Sequence, residues 1–274
     1  MGKITASEVN TLRKMSGAGI MDCKNALVES NGDFDVAIEI LRKKGQKVAA
    51  KRADRKSSEG AVIAKVDSKC LNGIIIFLNC ETDFVAKNET FVALANQLAE
   101  LGLNYNSLED FLNSKIDSMT VSEKLIQQTG VIGEKLIIGC FEKLSAAYVG
   151  KYIHAGNKIA TLSGFSSSID GIEEAAKNIA MQAAAMNPIS LDESGVDQQT
   201  IEKEIEIAKD QLRQEGKPEA MLDDIAKGKL KRFFKDNTLV NQDFIKDNKL
   251  SVSAYVKSIH SDLKITGFKR VALV

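Results

Sequence analysis

The spacing of apolar residues changes from helical to strand-like near Gly60, and this change confines the chain to a mixed fold of segregated helices and antiparallel strands. Before it, Val9, Leu12 and Met15 recur at helical spacing behind Thr5-Ala6-Ser7-Glu8, a capping box in which Thr5 and Glu8 satisfy each other's free amides. Gly17-Ala18-Gly19 breaks that helix. Cys23, Ala26 and Leu27 line a second one, which Asn31-Gly32 ends in a left-handed turn. Asp33 or Asp35 opens a third that buries Val36, Ala37, Ile40 and Leu41, and Gly45 interrupts it. None of the three is long enough to stand alone, so they must share one small core.

After Gly60, Ala61 to Val66 and Gly73 to Cys80 are rich in β-branched residues, with Asn72-Gly73 as the turn of an antiparallel hairpin. The second run is apolar on both faces and reads as a central, covered strand. A helix from Asn88 carries Phe91, Leu94, Ala95, Leu98 and Leu101 on one face up to Gly102. Shorter helices follow at Ser107 to Leu112 and behind the capping box Thr120-Val121-Ser122-Glu123. Strands at Leu136 to Leu144, Ala147 to His154 and Lys158 to Leu162 then precede a helix burying Ile172, Ala175, Ile179, Ala183 and Met186, which Pro188 ends. Strands followed by a helix, twice over, predict two related α+β subdomains.

One segment departs from this grammar. Ile201, Ile205, Ala208 and Leu212 form a narrow seam between charged residues, Gly216-Lys217-Pro218 turns the chain, and Met221, Leu222, Ile225 and Phe233 continue the seam. That pattern predicts a projecting antiparallel helical hairpin whose apolar edge meets a partner or a second copy. A helix at Ser251 to His260 and a strand at Ile265 to Val274 close the chain. The expected division is 1–56, three helices with a basic linker; 57–139, a first subdomain; and 140–274, a second with the hairpin inserted at 189–233.

Composition narrows the function. Lys+Arg and Asp+Glu balance at 37 each, which argues against a protein built to wrap nucleic acid. No apolar stretch is long enough to span a bilayer, and the N-terminus lacks both a signal-peptide core and, at Ala6, the hydroxyl of a myristoylation motif. Cys23, Cys70, Cys80 and Cys140 are widely spaced, suiting reduced, mostly buried thiols in the cytoplasm rather than a disulfide framework or a zinc site. No phosphate-binding loop, dinucleotide fingerprint, nucleophile elbow or metal-ligand cluster occurs, so neither enzyme chemistry, cofactor nor metal is expected. His154 at a strand end reads as a structural or interface histidine, and His260 as a helix-end cation. The basic run from Lys43 to Lys56 reads as a solvated helix end and linker, with an RNA-binding patch as the sharper alternative. A hydrolase using Glu81, Asp83 and His154 would need those groups to converge.

The unusual segment is Asn79-Cys80-Glu81-Thr82-Asp83-Phe84-Val85-Ala86-Lys87. Patterning leaves two readings open. Asp83 or Asn88 caps the next helix while Phe84 tucks into the core, or Phe84 is an aromatic anchor beside a carboxylate on a rigid strand-to-helix corner.

The same nine residues resemble the second signature of the bacterial elongation factor Ts family, guanine-nucleotide exchange factors of elongation factor Tu. Leu12 to Leu27 looks like the family's first signature, and Ile132-Gly133-Glu134, His154, Ala180-Met181-Gln182, Asn187-Pro188, Gly216-Lys217-Pro218 and Thr266-Gly267-Phe268 follow in family order. Ser16 stands where the family usually has Thr, Phe77 where an acid is usual, and Gly139-Cys140 where an Arg-Arg pair is common. Contacts of those arginines are not carried over, nor are those of a C-terminal helical module into which relatives continue beyond the position of Val274. The resemblance implies a ubiquitin-associated-like three-helix domain docking on the nucleotide domain of Tu through Leu12, Arg13, Gly17, Gly19 and Met21. It implies that Thr82, Asp83, Phe84 and Val85 enter that domain near its Mg²⁺ and phosphates and promote exchange of GDP for GTP. His154 is implied to approach Tu's distal β domain, and the 189–233 hairpin is associated in some relatives with dimerisation. The chain itself is implied to bind no nucleotide, membrane or specific nucleic acid.

Overall fold

The computed structural model describes residues 4–273, so the readings that fell on Met1-Gly2-Lys3 and on Val274 lie outside the described residues. In chain order come α1 (Ala6–Ser16), α2 (Ile20–Glu29), α3 (Phe34–Lys51), β1 (Glu59–Val66), β2 (Asn72–Cys80), α4 (Asp83–Ala86), α5 (Glu89–Gly102), α6 (Leu108–Asn113), β3 (Lys115–Ile116), β4 (Met119–Thr120) and α7 (Val121–Ile132). Then follow β5 (Ile137–Ser145), β6 (Tyr148–Ile153), β7 (Ile159–Phe165), α8 (Ile172–Met186), α9 (Gln198–Gln214), α10 (Glu219–Asn237), β8 (Asp243–Phe244), β9 (Asp247–Ser251), α11 (Val252–Ile259) and β10 (Ile265–Ala272). The expected α+β class, with small antiparallel sheets behind an N-terminal helical region, is what the chain adopts.

Both capping boxes form: Thr5 and Glu8 exchange hydrogen bonds at the start of α1, and Thr120 and Glu123 do so at α7. Each contributes on the order of 1 kcal/mol to its helix. Asp33 caps α3, accepting from the amides of Asp35 and Val36. Val9, Leu12, Ala18, Cys23, Ala26, Leu27 and Ala37 make the shared core of the three helices. Met15 and Val36, expected inside, are exposed, because a unit this small covers only a narrow stripe of each helix.

Gly45 does not interrupt α3, and through Lys51 the basic stretch is helix rather than linker. The glycine instead marks a helix crossing. A Cβ on Gly130 of α7 would lie 2.4 Å from the Cα of Gly45, so the missing side chain of Gly130 is what lets the two backbones approach, whereas a Cβ on Gly45 would meet only ordinary contacts from 3.6 Å outward. Arg42 on α3 pairs with Glu123 on α7 beside the crossing.

The hairpin of β1 and β2 turns earlier than expected, since Asn72 already belongs to β2. Asp67 makes the turn: its carboxylate accepts from the Leu71 amide at 2.9 Å and from the Asn72 side chain at 2.7 Å, while Cys70 takes a left-handed φ of 54°. β2 is the middle strand of the order β1-β2-β5, and it is buried along nearly its whole length, as its apolar run predicted. The chain divides into two compact units, the first holding residues up to Val62 and Ile76–Phe141, the second Ile63–Ile75 and Glu142–Ala272. The first unit therefore takes in both the three helices and the residues to Phe141, where the sequence suggested a division after residue 56. α5 packs Phe91, Leu94, Ala95 and Leu98 into it, and Phe111 is fully buried with its ring centroid 5.4 Å from that of Phe141.

In the second unit β6, β7 and β10 form an antiparallel sheet in the order β10-β7-β6. α8 lies on it, burying Ile172, Ala175, Ile179 and Ala183, and the Thr161 and Ser163 hydroxyls donate to the helix carbonyls of Ala180 and Ala176. Met186, expected to be buried, is exposed at the helix end. α9 and α10 form the expected helical hairpin, but its seam closes on itself. Ala208, Leu212, Leu222 and Ala226 bury one another, and Met221 faces outward. The hairpin's base is pinned where the Ile189 amide donates to Asn237 and that of Leu239 to Ser190.

The crossing glycine generates a prediction in which the usual helix-propensity sign reverses. Gly130→Ala is expected to destabilise the protein by about 1–3 kcal/mol through overpacking. Gly228→Ala in α10, where an added Cβ meets nothing within 4 Å, is expected to stabilise it by about 0.5–1 kcal/mol. Urea denaturation of the two variants measures both.

Candidate functional site

β2 brings the chain out of the first unit's core at Cys80, which is fully buried. Burial, reinforced by the Glu134 carboxylate, pushes the Cys80 thiol up to about 12. This cysteine is therefore protonated packing rather than a nucleophile.

The next two residues are held from both sides by the segment that follows α7. Glu134 accepts from the amides of Glu81 and Thr82, each at 3.0 Å, and from the Thr82 hydroxyl at 2.6 Å. In return the Glu81 carboxylate accepts from the Lys135 amide at 2.7 Å. Each segment thus offers a carboxylate to the other's backbone. Arg52, at the end of α3, adds hydrogen bonds of 2.8 Å to both Glu81 oxygens. The Lys135 ammonium meanwhile takes the carbonyls of Ala53 and Arg55 just beyond that helix. Burial works to raise the Glu81 carboxyl, but the Lys135 amide and the Arg52 guanidinium outweigh it and hold the group below its ordinary 4.5.

Thr82 then starts the single helical turn α4, its hydroxyl accepting from the Val85 amide at 3.4 Å. Asp83 pairs with Lys87 at 2.6 Å, and Val85 is half-buried. Phe84 is 83% exposed, the highest value among the exposed large apolar residues described. Asn88 caps α5 through the Thr90 amide. Of the two readings left open by patterning, each supplies one half: Asn88 is the helix cap, and Phe84 is an outward anchor rather than a core residue.

The other candidate residues fall in three settings. Leu12 is fully buried in the three-helix core, so it shapes that surface only from beneath. Arg13 and Met21 are exposed, while Gly17 closes α1 in a left-handed conformation and Gly19 precedes α2, together turning the chain between the two helices. His154 belongs to the second unit. It is exposed just past β6, its Nδ1 lying 2.9 Å from the Tyr152 hydroxyl, beside a cleft of about 400 Å³ lined by Ile159, Met181, Ile245 and Arg270.

The rival readings lose ground on the same geometry. A Glu81 carboxylate engaged by Arg52 and Lys135 and held ionised is poorly placed to shuttle protons. Of the basic stretch, Lys43, Lys44 and Arg52 already face Glu39, Asp22 and Glu81. Glu134, Arg52 and Lys135 were assigned nothing by sequence reasoning at the tip. The one available signal was the Ile132-Gly133-Glu134 motif, which said that a glutamate matters there but not what it binds.

Comparison with known proteins adds an independent line. A family model described as Elongation factor TS matches residues 81–274. The chain is 67% identical over 273 residues to a protein named Elongation factor Ts from Christiangramia forsetii, covering 100% of both chains. It is likewise 67% identical over 273 residues, with the same full coverage, to the protein of that name from Flavobacterium psychrophilum. To that of Amoebophilus asiaticus it is 48% identical over 271 residues, covering 98% of each.

The anchoring of Glu81 predicts a pH signature. Its depressed carboxyl contributes stability that is fully present above about pH 4.5 and is lost as pH falls through the lowered value. Glu81→Gln is expected to cost about 1–3 kcal/mol at neutral pH, and that difference is expected to shrink towards zero with acidification, as followed by urea midpoints from pH 7 to pH 3.

Proposed function

The chain belongs to the elongation factor Ts family, and on that premise we propose that it binds elongation factor Tu in its GDP form and promotes release of GDP, so that GTP can replace it. The observation that carries this reading is Phe84, a large apolar side chain left 83% exposed on a short turn whose base is held by Glu134, Arg52 and Lys135. Stabilising an isolated exposed Phe offers the free protein nothing. On a partner it offers burial of a rigid ring at low entropic cost.

The energetics define what the ring does. Burying one Phe contributes roughly 1.5–3 kcal/mol, whereas a thousandfold loss of GDP affinity corresponds to about 4 kcal/mol. The tip therefore directs binding energy gathered over a wider surface. Arg13, Gly17, Gly19 and Met21, supported from below by Leu12, supply one part of it, and His154 another. Mg²⁺ requires near-ideal octahedral oxygen geometry and bridges the nucleotide's phosphates, so a wedge of Thr82, Asp83, Phe84 and Val85 that shifts its supporting backbone weakens the whole GDP site. Linkage makes the effect reciprocal: GDP lowers the affinity of this chain for Tu by the same factor.

On this reading the protein is an exchange factor acting by protein binding and not an enzyme, it needs no cofactor, and it works in the cytoplasm. No described helix is long and apolar enough to cross a membrane. Self-association through 189–233 belongs to the same reading, with Ile189, Ile207 and Met221 as the exposed apolar residues of that hairpin.

The test is a chase experiment. Cognate Tu loaded with fluorescent GDP is mixed with excess unlabelled nucleotide and catalytic amounts of the protein. Release is expected to accelerate, and Phe84→Ala is expected to slow it by about tenfold or more at saturating factor while leaving much of complex formation intact, the ~1.5–3 kcal/mol of one buried side chain being the upper bound on its loss. Unchanged release with wild-type protein would sink the reading.

A further inference from the structure

Among the described residues the Glu134 carboxylate accepts three hydrogen bonds, all from Glu81 and Thr82. Its place is set locally. Gly133 ends α7 at a left-handed φ of 81°, with its amide returning to the Thr129 carbonyl, and the Thr129 hydroxyl accepts from the Leu136 amide at 3.1 Å. The turn carrying Glu134 is thereby fixed on both sides before it meets the tip. An added Cβ at Gly133 meets nothing within 4 Å, so it is the backbone conformation and not space that asks for glycine there.

The Thr82 hydroxyl is the hinge of the arrangement. It has one hydrogen to give, which goes to Glu134, and that choice leaves its lone pairs turned towards the Val85 amide at the start of α4. Remove the carboxylate and the hydroxyl is free to rotate, two strand-end amides lose their acceptor, and the turn bearing Phe84 loses its fixed starting point. A single-turn helix cannot restore that order by itself, because its own hydrogen bonds do not offset the entropy of nucleation.

We propose that Glu134 is a positioning residue for nucleotide exchange: through Thr82 it fixes the direction in which Phe84 leaves the protein, and so it governs how fast a bound partner loses GDP rather than how tightly the partner is held. This deepens the exchange-factor reading and rests on it. The partner surface it serves is the one that receives an apolar ring.

The chemistry of the side chain orders the variants. Glu134→Gln keeps an oxygen for the two amides and reverses the bond to Thr82, its NH₂ donating to the hydroxyl oxygen whose other lone pair still faces the Val85 amide, so the turn stays anchored and activity is expected to be retained within about threefold. Glu134→Asp keeps the charge but falls one methylene short, and Glu134→Ala keeps neither. Both are expected to lose about tenfold or more in the maximal rate of GDP release at saturating factor, with less than about threefold change in the concentration giving half that rate.

A double-mutant cycle with Phe84→Ala tests the route. If Glu134 acts through the tip, Glu134→Ala costs almost nothing once the ring is gone. Wild-type maximal rates in folded Glu134→Ala and Glu134→Asp would overturn the proposal, as would equal losses with and without Phe84. If Glu134→Ala does not fold, the ordering of Gln over Asp carries the test. Should wild-type protein itself fail to release GDP, the exchange reading falls separately. The positioning claim then stands or falls on whether the backbone amides of residues 82–86 lose NMR order in Glu134→Asp relative to wild type.

Discussion

What the tip can do depends on a reciprocal exchange of carboxylates for amides. Glu134 takes the N–H groups of Glu81 and Thr82, and Glu81 takes that of Lys135. Where a strand ends, and where the chain runs on beyond a helix, backbone amides lack a ladder or helical acceptor, and a charged acceptor is a strong local remedy. Here two such ends are placed so that each remedies the other. Arg52 and the Lys135 ammonium extend the bracket to the end of α3, so four side chains bind three segments of the first unit. A lone surface ion pair contributes little, whereas shared hydrogen bonds to backbone at fixed geometry define a direction.

That bracket explains why an apolar ring can be left in water. Phe84 sits on a turn of four residues, which by itself has no persistence. Its stability is borrowed from Thr82 at one end and from Asn88, the cap of α5, at the other. Asp83 and Lys87 close the outer side of the turn with an ion pair. The result is a short, stiff element bounded by two caps. An interface anchor of this kind gains from a partner without first losing much conformational entropy.

Much of this was legible in the sequence where the signal was local. Both capping boxes, the covered central strand, the amphipathic α5 and the reversal at Asn31-Gly32 depend on neighbours within a few positions, and all stand as expected. The failures share a different cause. Gly45 looks like a stop, but α3 runs through it and crosses against Gly130, far along the chain, whose missing Cβ the close approach requires. Asn72-Gly73 looks like a turn until Asp67 supplies a better one. The narrow seam of α9 looks unpartnered until Leu222 and Ala226 of α10 fill it. The tip divided along the same line. Patterning left its ring between core and surface and only the resemblance turned it outward, while the glutamate that aims it lies some fifty positions away, where only three-dimensional pairing reveals its role.

The central claim is that the tip is ordered before any partner arrives, and backbone ¹⁵N relaxation of the free protein tests it most directly. Residues 82–86 are expected to show order parameters of about 0.85, like those of the adjoining α5. Values below about 0.6 in those residues, beside a rigid α5, would mean that the partner imposes the conformation and that the bracket does not.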